Sequence, residues 1–246
     1  MQATKSRPIR LLLTVLLIGL IPPKGTAQSL NLSGALPEHR EVKGEAVPIT
    51  KSTANPENLS TLLAGAASMG DPDARVAIVE FGDYQCPFCG QHANQTLPQI
   101  VTNYVKTGKV RYFFKDTPIE AIHPQALKAS EAALCAGDQG RYWEMHDRLF
   151  QNQLALVMTE LPKHAFALGL DVPRFLQCLN NDTYADQIRK GIQEAVKSGV
   201  RGTPTFYVEM LKPADRAKNA VISLSGFKPY SAFQQALDQM LSDVER

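Results

Sequence analysis

Two cysteines three positions apart, in the run Cys86-Pro87-Phe88-Cys89, are the residues of this chain best suited to chemistry. On the first turn of a helix that spacing brings both sulfurs to one face, so a small disulfide ring can close and reopen. Cys86 would sit at the helix N-terminus, where unpaired N–H groups and the positive end of the macrodipole stabilise a thiolate. Pro87 suits the first helical position, because its missing N–H costs nothing there. Cys86 is therefore expected to be the exposed nucleophile, and Cys89, a turn inward, the resolving thiol. Other uses of the spacing compete unequally. A c-type haem site needs histidine directly after the second cysteine, and here it is Gly90. A zinc ribbon needs a second close pair, whereas Cys135 and Cys178 lie far apart. A plain structural disulfide is the remaining alternative.

Cys135 and Cys178 lie in apolar surroundings, EAALCAG and RFLQCLN, in the middle to late part of helical segments. Nothing nearby would activate either thiol. In an oxidising compartment they are expected to form a structural disulfide, with two buried free thiols as the other reading.

The elements that must hold these residues follow from hydrophobic periodicity. Residues 75–81 (RVAIVEF) form a continuous β-prone run, the pattern of a strand covered on both faces. Residues 87–104 take helical spacing, with Ala93, Leu97, Ile100, Val101 and Tyr104 on one stripe. Residues 110–114 (VRYFF) read as a second buried strand, and the three together as a parallel βαβ unit. Residues 124–198 hold no convincing strand and divide into helices near 124–136, 141–151, 163–168, 172–179 and 184–198. Strands return at 205–208 and 221–224. A final amphipathic helix carries Phe233, Leu237, Met240, Leu241 and Val244. The pattern predicts an α/β fold with an all-helical domain inserted between βαβ and ββα halves.

Ahead of that domain, Lys5, Arg7 and Arg10 precede an apolar run at 11–21, Pro22-Pro23 break it, and Gly25-Thr26-Ala27 offer a cleavage site before Gln28. The run is too short for an ordinary span of a hydrocarbon layer of roughly 30 Å. The expected organisation is a signal peptide at 1–27, an N-terminal arm or tether at 28–70 with a short helix at 58–68, a thioredoxin-like domain from 71–122 and 199–246, and a helical insertion at 123–198. The formal charge of +2 belongs to the leader, and the rest carries 22 basic and 24 acidic residues, which excludes a basic nucleic-acid footprint.

Three stretches, VEFGDYQCPFCGQH, HPQALKASEAALCAGDQGRYWEMHDRLF and GVRGTPTFYV, resemble the DsbA-like thiol-disulfide oxidoreductases of bacterial envelopes. The likeness is strongest to the branch with a CPFC active site and an N-terminal arm, and it covers roughly residues 70–243. It implies a thioredoxin fold with Cys86 and Cys89 as catalytic pair. It also implies a cis-proline loop opposite them at Thr203-Pro204, whose backbone pairs with an extended substrate. Pro87 and Phe88, beside the nucleophile, join Thr203 as expected substrate contacts. Glu80, an acid inside an apolar strand six positions before Cys86, falls where the family keeps a buried acid that moves the proton of the resolving cysteine. His123 and His146 match family positions too and are read as packing or capping residues. Tyr142, Trp143 and Phe150 are read as core of the insertion.

The resemblance further implies an exported enzyme that oxidises cysteine pairs of newly exported, unfolded proteins. A membrane quinone-linked partner of the DsbB or VKOR type would re-oxidise it, and no cofactor is required. Well-known members carry Pro-His between the cysteines. Phe88 can neither donate to the thiolate nor add charge, so a weaker oxidant is expected here. Two alternatives stand beside this reading. One is an isomerase or reductase kept reduced by a membrane donor, and the other a chaperone that binds extended peptides, its disulfide merely structural.

Overall fold

All seven residues of strand β3 (Val76–Gly82) are buried, because both faces of the sheet at this point are covered. Val76 and Ile78 point into a core with Leu97, Ile100, Tyr112, Phe206, Phe233 and Leu237. The alternate residues Ala77, Val79 and Phe81 point the other way, against Ala195, Val200 and Tyr207. A strand buried on both sides must read as a continuous apolar run, which is why 75–81 carries no polar alternation.

The computed structural model describes residues 50–52, 62–211 and 221–245. Strands β1 (Thr50–Ser52), β2 (Ala67–Met69), β3, β4 (Val110–Asp116), β5 (Thr205–Met210) and β6 (Val221–Ser225) form one sheet in the order β1-β6-β5-β3-β4-β2. β3 pairs parallel with β4 and antiparallel with β5. Helix α1 (residues 87–105) connects β3 to β4. It widens into π turns at His92–Thr96 and Val101–Val105, on either side of Pro98, whose missing N–H cannot serve the regular ladder. Helix α7 (Tyr230–Glu245) packs beside it.

Between β4 and β5 lie α2 (Ala126–Gly137), α3 (Tyr142–Gln151), α4 (Leu161–Ala167), α5 (Val172–Asn180) and α6 (Ala185–Lys197). They close a second core of Met145, Leu149, Phe150, Phe175 and Leu179 that also takes in Tyr84 and Phe114 from the sheet side. Cys135 on α2 is bonded to Cys178 on α5, 43 residues later. Such a link removes loop entropy from the unfolded chain. Replacing both cysteines with alanine is expected to lower stability by about 2–4 kcal/mol in a urea titration while leaving exchange at Cys86 unchanged. Loss of exchange at unchanged stability would instead make the pair a redox relay.

The N-terminal expectations need one correction. Residues 67–69, placed at the end of a short helix, form strand β2, which pairs antiparallel with Tyr112–Phe114 of β4. Residues 50–52 form β1 on the opposite edge, paired with β6. Part of the stretch 28–70 thus belongs to the sheet rather than to a tether. Three-residue strands show no periodicity, and their pairing comes from the open backbone edges of β4 and β6. The signal segment 1–27 and most of 28–61 lie outside the described residues. Among the described residues no helix is long and apolar enough to cross a membrane.

Candidate active site

Cys86 is the N-cap of α1, with extended backbone at φ −71° and ψ 122°. Its N–H donates to the Asp83 carbonyl and its own carbonyl accepts from Gly90, each at 3.1 Å. Its Sγ lies 3.4 Å from the Thr203 carbonyl, across the cis Thr203-Pro204 peptide loop. Sheet register makes this meeting. Phe81 pairs with Thr205, so the residues leaving β3 and those entering β5 come out at the same end of the sheet.

The sulfurs are more covered than the sequence suggests. Cys86 is 4% exposed and Cys89 fully buried, so the expectation of an exposed nucleophile is corrected. The extended N-cap turns the Cys86 sulfur beneath the Thr203 carbonyl instead of out to solvent. Pro87 and Phe88 form the open rim, with Phe88 57% exposed. Pro204 is buried, and its carbonyl accepts from Gly226 at 2.8 Å.

The two thiols have opposite electrostatics. A hydrogen bond from Cys89 holds the Cys86 thiol down at about 6, aided by the N–H groups of Cys89 and Phe88. Burial pushes Cys89 well above the ordinary thiol range, and the neighbouring Cys86 adds to that. Negative charge therefore rests on Cys86 and the proton on Cys89. Glu80 is fully buried on β3, and burial pushes its carboxyl up to about 8 against the opposing hydrogen bond from Tyr112. It is a neutral acid at pH 7, close enough to Cys89 to raise that thiol further.

Other residues shape the site without a sequence signal. Gln153, beyond α3, donates from Nε2 to the carbonyls of Tyr84 and Cys86, both at 2.8 Å. The helical insertion thereby grips the turn that carries Cys86. Gly90 had a weak signal, because glycine inside a helix costs stability. A Cβ there would stand 2.2 Å from Gln153 Oε1. Gly90→Ala is expected to cost about 1–3 kcal/mol in thermal unfolding, with a sub-additive cost when Gln153→Ala is combined with it. Full additivity would separate the two residues.

His123 Nδ1 lies 2.8 Å from Asp83 Oδ2, tying the loop after β4 to the β3–α1 turn. His146 is packed against Tyr84, Phe114, Trp143 and Phe150, and burial lowers its pKa. Among the described residues no cluster of side chains could hold a metal.

A βαβ–helices–ββα chain with a dithiol at the first strand-to-helix junction defines a thioredoxin-fold protein of the insertion-bearing class. The thioredoxin family profile matches residues 64–219. Probable disulfide bond formation protein D of Bacillus anthracis is 30% identical over 154 residues, covering 57% of this chain and 68% of that protein. The chain belongs to the thioredoxin family, among its DsbA-like thiol-disulfide oxidoreductases. The crystal structure of Wolbachia pipientis alpha-DsbA1 superposes with TM-score 0.65 at 23% identity, over 74% of this chain and 94% of that one, and shows the shared fold. Na(+)/H(+) antiporter NhaA 1 of Salinispora arenicola is 40% identical over 139 residues, which are 56% of this chain but only 21% of that protein, so the chain matches about a fifth of that relative's length.

Proposed function

We propose that the protein catalyses dithiol–disulfide exchange through Cys86 and Cys89, acting as an oxidant of cysteine pairs in exported proteins. One observation carries this reading: Cys86 caps the helix with its Sγ 3.4 Å from the Thr203 carbonyl beside the cis peptide, and Cys89 lies fully buried one turn inside, an arrangement that lowers the Cys86 pKa and raises that of Cys89. A substrate thiolate attacks the Cys86 sulfur of the Cys86–Cys89 disulfide. The S–S bond breaks, its electron pair leaves on Cys89, and that thiolate takes a proton from the Glu80 carboxylic acid. A second substrate thiolate attacks the substrate sulfur of the mixed disulfide and expels Cys86. The substrate ends oxidised by two electrons and the enzyme reduced by two. A stabilised Cys86 thiolate makes the last departure favourable and favours the oxidising direction.

Thr203, Pro87 and Phe88 are the residues that a client would meet on reaching Cys86, with an extended segment pairing along the backbone beside Pro204. The signal-like segment 1–27 supports work in the periplasm or cell envelope, and a membrane quinone-linked protein of the DsbB or VKOR type would restore the disulfide. Exchange chemistry belongs to the two halves 71–122 and 199–246, with 123–198 as an inserted clamp. The test is oxidative refolding of reduced, unfolded ribonuclease by the oxidised protein. Stoichiometric transfer of one disulfide is expected, whereas activity only on scrambled ribonuclease would make the protein an isomerase, and binding without transfer a chaperone.

A further inference from the structure

Around Glu80 lies a buried polar chain that the exchange steps above do not use. Tyr112 donates its hydroxyl hydrogen to Glu80 Oε2. His92 Nε2 lies 3.1 Å from the Tyr112 hydroxyl and 3.8 Å from the same carboxylate oxygen. All three side chains are fully buried. Their placement follows from the fold. His92 stands three residues after Cys89 on the helix, so it shares that sulfur's face. Tyr112 sits on β4 one alternate position before Phe114, the residue paired with Glu80.

A tyrosine hydroxyl has one hydrogen, and here it goes to Glu80. The contact from His92 must therefore be Nε2–H donating to the Tyr112 oxygen, with Nδ1 left as a bare acceptor. Burial suits that neutral ring, lowering its pKa to about 3, and Phe206 and Phe233 hold it at centroid distances of 4.4 and 5.1 Å. The chain is thus directed, His92 to Tyr112 to Glu80 Oε2. The other carboxyl oxygen, Oε1, is buried and has no hydrogen-bond partner among the described residues. It lies 3.4 Å from where a Gly82 Cβ would stand, so it points along β3 towards the junction that carries the cysteines.

We propose that Tyr112 and His92 are positioning residues for proton transfer at Glu80, occupying Oε2 so that the proton exchanged with Cys89 travels through Oε1. This inference rests on the exchange reading above. In the resolving step Cys89 loses its proton to Oε1 as its sulfur attacks the Cys86 mixed disulfide, and the partner sulfur leaves with the electron pair. In the reverse step Oε1 returns the proton to the departing Cys89. Without the Tyr112 hydroxyl the carboxylate loses a hydrogen bond that favours its charged form, so Glu80 must become a weaker acid.

The groups that act on Glu80 from the elements around it are Cys86, Cys89 and His92 on α1, Tyr112 on β4, Tyr84 on the β3–α1 turn and Tyr142 on α3. Burial pushes Asp116 up to about 7, so Asp116→Asn serves as background control. The experiment has two readouts in the full chain. One is a carbon-13 NMR titration of the Glu80 carboxyl, assigned by its loss in Glu80→Gln. The other is the pH profile of Cys89 expelling glutathione from a Cys86–glutathione mixed disulfide. Tyr112→Phe, which keeps the ring, is expected to raise both midpoints by about one pH unit or more. His92→Leu should move them the same way, and His92→Gln, which keeps an N–H donor, should restore them. Unchanged midpoints in Tyr112→Phe, with Glu80→Gln slowing the step, would overturn the positioning role and leave the exchange reading intact. An unaltered step in Glu80→Gln would overturn it as well, since no proton transfer would remain to be positioned. Failure of the unmodified protein to exchange with glutathione would remove the exchange reading itself.

Discussion

Cys89→Ser will accumulate as a covalent complex with its substrates, and Cys86→Ser will lose exchange to background. The difference follows from which sulfur a client can reach and which can leave. Cys86 lies just beneath the rim formed by Pro87 and Phe88, with its charge stabilised at the helix start, whereas Cys89 is fully buried a turn further in. A substrate thiol therefore bonds to Cys86 first. Once Cys89 is a serine, nothing inside the protein expels the substrate, and the mixed disulfide waits for an external thiol. Non-reducing gels will resolve the two variants after glutathione disulfide has loaded the reactive sulfur as a mixed disulfide and a reduced client with a single cysteine is added, its thiolate displacing glutathione. Removing a reaction's nucleophile costs several orders of magnitude in rate, on the order of 10⁴-fold or more, so the contrast does not depend on fine kinetics. A stable adduct on Cys86→Ser, formed through Cys89, would reverse the assignment.

The reduced protein will gain stability relative to the oxidised protein as pH rises from about 6 to 9. Cys86 titrates at about 6 in the folded reduced protein against an ordinary value of 9.0. A depressed acid contributes stability that is fully present above its unfolded value and disappears as pH falls through its folded one. The oxidised protein has no Cys86 thiol and lacks this contribution. Three pH units correspond to at most about 4 kcal/mol, equivalent to roughly 80–90 mV of reduction potential for a two-electron couple. Glu80 acts in the opposite sense. Its carboxyl is raised from 4.5 to about 8, so its contribution is lost as pH rises across that interval. The carboxyl is present in both forms, so their difference keeps only the part of this shift that the Cys86 charge causes. Denaturant titrations of both forms at several pH values will measure the gap. Phe88→His adds a donor beside the thiolate and should raise the potential. A pH-independent gap would show that Cys86 carries no special charge, and with it would go the case for an oxidant.

Much of this was legible along the chain. The buried run 75–81, the CPFC turn and the helix after it are local patterns, set by side-chain period and helix-end chemistry within a few residues. The helices of the insertion were legible for the same reason, each observed within about two residues of its periodic segment. The edge strands at 50–52 and 67–69 were not, since three residues carry no period and borrow their conformation from a partner strand. Nor were the contacts that tune the chemistry. Cys86 and Thr203 are 117 positions apart, Gln153 reaches the Cys86 carbonyl from 67 positions away, and Tyr112 meets Glu80 across 32. A glutamine after a helix or a tyrosine in a strand looks the same in sequence whether it grips a catalytic turn or simply packs. The sequence by itself singled out the dithiol proposed to exchange electrons, because that reading depends on thiol spacing and a helix start. Only the tertiary structure decided how covered the sulfurs are and which groups hold their protons, because desolvation and hydrogen-bond direction exist only once distant segments have packed together.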